Sequence, residues 1–97
     1  MLILRTLARL GPLHGYGIAE YIQQTSEDVL TVEEGSLYPA LQRMLIKGWV
    51  EAEWGVSENN RRARFYKLTP AGRKQLQAEI AEFDKVTRAI VRVIQPA

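Results

Sequence analysis

From Pro70 to Ile94 the sequence runs for 25 residues with no proline after the first position and no glycine after Gly72. Thr69-Pro70 is a strong helix start, a Thr cap followed by proline at the first helical position, where its missing N–H is harmless. As one helix the segment would reach about 37 Å. Along it Leu76, Ile80, Phe83, Thr87, Ile90 and Ile94 recur at alternating steps of four and three, the heptad seam, and Val86 and Val93 widen the stripe. A helix this long and this apolar outreaches any core the remaining residues can build. A period of 3.5 residues favours a helix partner of similar length over packing back onto a small domain, so the segment is expected to form a dimer.

The size of the chain agrees with that expectation. At 97 residues it is one domain's worth, and a domain so small buries only about 60–65% of its unfolded surface. There are no cysteines, which excludes disulfide staples and thiolate-bound zinc or iron–sulfur clusters and suits a reducing cytoplasm. Self-association is the remaining common way to gain stability. No apolar run approaches the roughly 18–20 residues that span a bilayer. Met1-Leu2-Ile3-Leu4-Arg5 lacks both a leading basic region and a small-residue cleavage site, so no signal peptide is expected.

Ahead of the long helix, three shorter ones are expected. Ile3, Leu7 and Leu10, with Leu4 and Ala8 beside them, form a helical stripe that Gly11-Pro12 ends; it starts at Met1 with no cap ahead of it. A second helix spans about His14 to Gln24, with Ile18, Tyr21, Ile22 and Thr25 on one side. Its two early glycines, around Tyr16, point to close backbone packing; a lone Gly-x-Gly with no strand before it is too weak to read as a phosphate loop. Leu30-Thr31-Val32 is a short β-prone run. The third helix takes Ser36 as its N-cap and Pro39 in its first turn, and Gly48 closes it. Leu37, Leu41, Met44 and Leu45 face inward; Ser36, Pro39, Ala40 and Arg43 face outward, with Tyr38 on a flank.

Two strands follow. Trp49 to Trp54 alternates, with Val50, Ala52 and Trp54 on one face and Glu51 and Glu53 on the other; Arg62 to Leu68 returns after a polar tip. Trp49 and Trp54 are read as core aromatics, with a ligand-stacking surface as the alternative. The fold class is therefore mainly α with a small β-hairpin. A winged helix-turn-helix over residues 1–69 precedes a dimerisation helix over 70–97. In that order of elements the third helix enters a major groove and the hairpin is the wing.

Charge points to an anionic partner, with nucleic acid or anionic lipid the usual candidates. Residues 1–60 carry four Lys/Arg against eight Asp/Glu, whereas residues 61–97 carry nine against three. Arg61, Arg62, Arg64 and Lys67 crowd the wing with no acid among them, a pattern suited to phosphates. Arg43 can grip a guanine edge or a phosphate, and Tyr38 is a second groove candidate. Tyr16 is either a phosphate-binding phenol or a packing residue. His14, the only histidine, is read as a helix-start residue; no metal site, cofactor or catalytic set is expected.

Four stretches carry a family resemblance. They are Pro12-Leu13-His14-Gly15-Tyr16-Gly17-Ile18, Gly35-Ser36-Leu37-Tyr38-Pro39-Ala40-Leu41-Gln42-Arg43-Met44, Arg61-Arg62-Ala63-Arg64-Phe65-Tyr66-Lys67-Leu68-Thr69 and Ala71-Gly72-Arg73. Together they resemble the PadR family of transcriptional regulators over nearly the whole chain. The resemblance implies a winged-helix homodimer that represses transcription from double-stranded DNA and is released by a small molecule or another signal. It places Tyr38, Pro39 and Arg43 in the recognition helix, Arg61, Arg62 and Arg64 in the wing, and dimerisation in the C-terminal helix. The first helix starts later than in the family, which implies a smaller dimer contact from that end. Two other readings remain open at this stage. The acidic first 60 residues fit a winged-helix module that binds protein, and an apolar cavity under the long helix fits a small-molecule-binding dimer.

Overall fold

The computed structural model describes residues 1–96. Helix α1 (Leu2–Leu10) leads into a two-residue strand β1 (Leu13–His14), then α2 (Gly15–Thr25), α3 (Glu34–Ile46), the hairpin β2 (Val50–Val56) and β3 (Arg62–Leu68), and finally α4 (Pro70–Ile94). The strands form one antiparallel sheet in the order β1-β3-β2. Its register pairs Leu13 with Tyr66 on one side of β3, and Val50 with Leu68 through Val56 with Arg62 on the other.

One core joins all these elements. Leu4, Leu7, Ile18, Leu37 and Leu41 are fully enclosed, and Ile22, Val50, Tyr66, Leu68 and Leu76 close around them. Leu10, expected on the inner stripe of α1, is half exposed; Thr6 is buried instead, its hydroxyl donating to the Leu2 carbonyl at 2.8 Å so that the polar group is satisfied. Ala40, expected to face outward, packs partly against the core.

Three local expectations are corrected. Leu30-Thr31-Val32 is not a strand; the third strand is Leu13–His14. A β-prone run needs a neighbour to pair with, and only the Leu13–His14 segment lies along the free edge of β3. Helix α3 begins at Glu34, so Ser36 lies inside the first turn and is not the cap. Glu33 occupies the cap position without a side-chain hydrogen bond, and Pro39 falls in the second turn. Proline there leaves the Gly35 carbonyl without its helical donor, which is tolerable because Gly35 is exposed to water. Finally, Trp54 is not a core aromatic: it is 59% exposed. The sheet face that is buried at Val50 and half-buried at Ala52 has run past the core two residues later, about 7 Å further along.

The C-terminal helix is set on the body by its first turns. Thr69 caps it, its hydroxyl oxygen accepting from the Gly72 N–H at 3.0 Å and its O–H donating to the Gly48 carbonyl at 2.6 Å. Gly72 is pressed against the Trp49 carbonyl so closely that a Cβ would collide with it. Leu76, expected on the dimer seam, is 3% exposed and belongs to the chain's own core. Beyond it α4 leaves the body. The radius of gyration is 15.4 Å and the longest dimension 56 Å, against about 12–13 Å for a compact chain of this length. Ile80, Phe83, Ile90 and Ile94 of the seam are solvent-exposed, as are Val86 and Val93, while Thr87 is half-buried. No helix among the described residues is long and apolar enough to cross a membrane.

Candidate nucleic-acid interface

The hairpin carries its inner face from the core out to solvent. Cross-strand pairs on that face run Val50–Leu68, Ala52–Tyr66, Trp54–Arg64 and Val56–Arg62. Apolar residues seal the base, and arginines take over at the tip. The same pleat that turns Tyr66 inward therefore aims Arg62 and Arg64 across the open end of the sheet, toward the start of α2. Glu51 and Glu53 alternate onto the other face.

Facing those arginines is the N-terminal turn of α2. His14 occupies its cap position, and its Nδ1 accepts a hydrogen bond from the Gly17 N–H at 3.0 Å. That role requires the ring proton on Nε2, which lies 3.4 Å from a Glu58 carboxylate oxygen on the wing tip. The Glu58 carboxyl is held below the usual carboxylate range by its own backbone N–H and then by the His14 ring. His14 also meets the Phe65 ring edge-on at 5.5 Å. The lone histidine thus caps the helix at whose start the sequence places it, and it also reaches the wing, a contact the sequence does not indicate. Helix α3 approaches the same point through Tyr38, whose phenol lies over Gly15 so tightly that a Cβ there would stand 2.9 Å from the ring. The need for close packing at the early glycines is met at Gly15, and Gly17 is likewise crowded by Leu13.

A cleft of about 590 Å³ results between the wing, the start of α2 and α3. It brings together five of the residues singled out from sequence: Tyr16, Tyr38, Arg61, Arg62 and Arg64. Tyr16 is 65% exposed, more than the packing alternative calls for. The positive end of the α2 dipole opens into the same space, which favours an anion there. Among the described residues the ion pairs are Met1–Glu79, His14–Glu58 and Arg88–Asp84, and none involves an arginine of the cleft. Instead the Arg62 guanidinium lies 4.7 Å from the centre of the Trp54 ring, and that of Arg64 lies 5.9 Å from Tyr66. Ser36, Pro39 and Arg43 do not line this cleft; all three lie exposed along α3. Trp54 and Glu58 do line it. The sequence assigns neither to a nucleic-acid interface and offers Trp54 a ligand-stacking surface only as the alternative, although the alternation in the hairpin puts it on the face of Arg62 and Arg64.

A helical triad with a three-stranded sheet, a cationic hairpin and an exposed third helix defines a winged helix-turn-helix protein. The family model of the PadR-like transcriptional regulators matches residues 3–78, and the chain belongs to that family. Its fold is close to that of a transcriptional regulator from Clostridium thermocellum, with a TM-score of 0.87 and 26% identity over 97% of this chain and 90% of that one. Bacillus subtilis PadR, solved in complex with operator DNA, shares the fold at a TM-score of 0.69 and 24% identity, over 81% of this chain and 44% of that one. A 37.1 kDa uncharacterised protein of a Streptomyces fradiae transposon is 46% identical over 79 residues, 81% of this chain. The chain spans about a fifth (21%) of that relative's length. The family is one of transcriptional regulators, not of enzymes.

Proposed function

We propose that this chain is a cytoplasmic, sequence-specific DNA-binding regulator that acts as a homodimer on a pseudo-palindromic operator. One observation carries the reading: Tyr16, Tyr38, Arg61, Arg62 and Arg64, from three separate elements, meet in a cleft whose arginines have no carboxylate partner among the described residues. A surface that neutralises its own cations has little use for phosphates; this one leaves them available. Bacillus subtilis PadR, which shares the fold, was solved in complex with operator DNA, and this supports DNA as the partner.

In this reading Tyr16, Arg61, Arg62 and Arg64 hold phosphates, while the exposed side of α3, with Ser36, Tyr38, Pro39 and Arg43, enters the major groove. A helix about 10–12 Å across fits a groove about 12 Å wide. The wing helix-turn-helix, through residue 69, is the DNA-binding unit, and the helix from residue 70 pairs with a second copy through Ile80, Phe83, Thr87, Ile90 and Ile94. The exposed apolar stripe of α4 supports that pairing. Repression relieved by a small-molecule effector completes the proposal and rests on the family resemblance alone.

Selection of bound duplexes from a random pool tests it. The expected product is a two-fold symmetric motif with half-sites about 10 bp apart. Unselected recovery of all sequences, or a motif without symmetry, would refute the operator reading.

A further inference from the structure

Within that DNA-binding reading, we propose that Trp54 is the positioning residue for Arg62, a fixed aromatic platform that holds the guanidinium toward the duplex. Three features on the hairpin support the assignment. Trp54 is a large aromatic left 59% exposed, at a point where the sheet has already left the core, so its own burial does not explain it. It lies directly across from Arg64 and diagonally from Arg62 on the same face, within the reach of long side chains. The Arg62 guanidinium is 4.7 Å from its ring centre, and both residues line the cleft.

The chemistry of the pair suits a phosphate-binding arginine. A carboxylate that anchored Arg62 would occupy its N–H donors and cancel its charge. An indole face attracts the guanidinium through its π electrons, without a carboxylate's hydrogen bonds and without cancelling the charge, and so leaves N–H donors for an anion. Arginine otherwise loses much rotamer freedom on binding, so an arginine already held over a ring loses less when it meets a phosphate. The platform raises affinity without adding a contact to the nucleic acid.

That separation is measurable. Binding to a random-sequence duplex two helical turns long, followed across a salt series, compares Trp54→Ala, Trp54→Leu and Trp54→Phe with the unaltered chain. Alanine and leucine should both weaken binding about two- to five-fold at fixed salt while leaving the salt slope unchanged, because the phosphate contact survives. Phenylalanine, which keeps a π face, should restore most of the affinity. Arg62→Ala should lower the slope by about one, and adding Trp54→Ala to it should cost nothing further. Unchanged affinity in Trp54→Leu, failure of phenylalanine to rescue, a lowered slope in Trp54→Ala, or additive losses in the double variant would each overturn the platform role. Failure of the unaltered chain to bind any duplex would instead remove the DNA reading itself, and this inference with it.

Discussion

Leu76 and Phe83 lie two turns apart on one helix, are similarly apolar, and have opposite surroundings. Leu76 is enclosed by the body, whereas Phe83 is 56% exposed, and the contrast extends to everything around them. On the body side Leu4, Leu7, Ile18, Leu37 and Leu41 leave no apolar side chain to solvent at the centre. On the distal half of α4, Ile90, Val93 and Ile94 all face water. Periodicity records that a side chain is to be buried; it does not record what buries it. A single seam in the sequence therefore has two settings in the structure: its start seats the helix on its own body, and the rest lies exposed, the part that the proposed pairing would cover.

Substitutions on the two sides of that divide should behave differently. Leu76→Ala should destabilise the body by about 2–5 kcal/mol, since a fully packed leucine leaves a cavity, and thermal melting should show it at every protein concentration. Phe83→Asp should leave the body folded but abolish self-association. Light scattering should then report a single chain, and the melting temperature should lose its dependence on concentration. A body that unfolds with Phe83→Asp as readily as with Leu76→Ala would erase the distinction. At the wing, Arg62→Ala should weaken binding to all duplexes alike, whereas Arg43→Ala should change sequence preference by about 1–3 kcal/mol at one base pair if the guanidinium reads a base edge.

The smallest effect belongs to Glu58. Its depressed carboxyl pKa means that the folded chain favours the ionised form, so its contribution is complete above the ordinary carboxylate range and disappears as the pH falls through the folded value. Melts of Glu58→Gln and the unaltered chain should differ slightly at neutral pH and converge in acid. A difference that persists once Glu58 is protonated would contradict a contribution from its ionised form.

What could be read from the sequence follows the same line between local and distant causes. The Thr69 cap, the Gly48 terminus and the limits of β3 are written in neighbouring residues, and the structure has them where the sequence pointed. Gly48, with φ of 74°, adopts the left-handed conformation expected just past a helix end. Strand β1 was hidden because Leu13–His14 becomes a strand only by lying against Phe65 and Tyr66, some fifty positions away. Trp54 was misplaced because alternation gives the face of a strand but not how far the core extends beneath it. In the candidate interface, the wing arginines were visible as a cluster of charge. The cleft that unites them with Tyr16 and Tyr38 depends on the packing of α2 against α3 and the wing, which no local pattern encodes.

The central claim is that paired chains, joined through the distal half of α4, set two wings on one duplex. Sedimentation of the complex on a single selected operator measures it directly. Two chains per duplex, reduced to one weakly held chain by Phe83→Asp, is the expected result. One chain per duplex at full affinity, unaffected by Phe83→Asp, would contradict it.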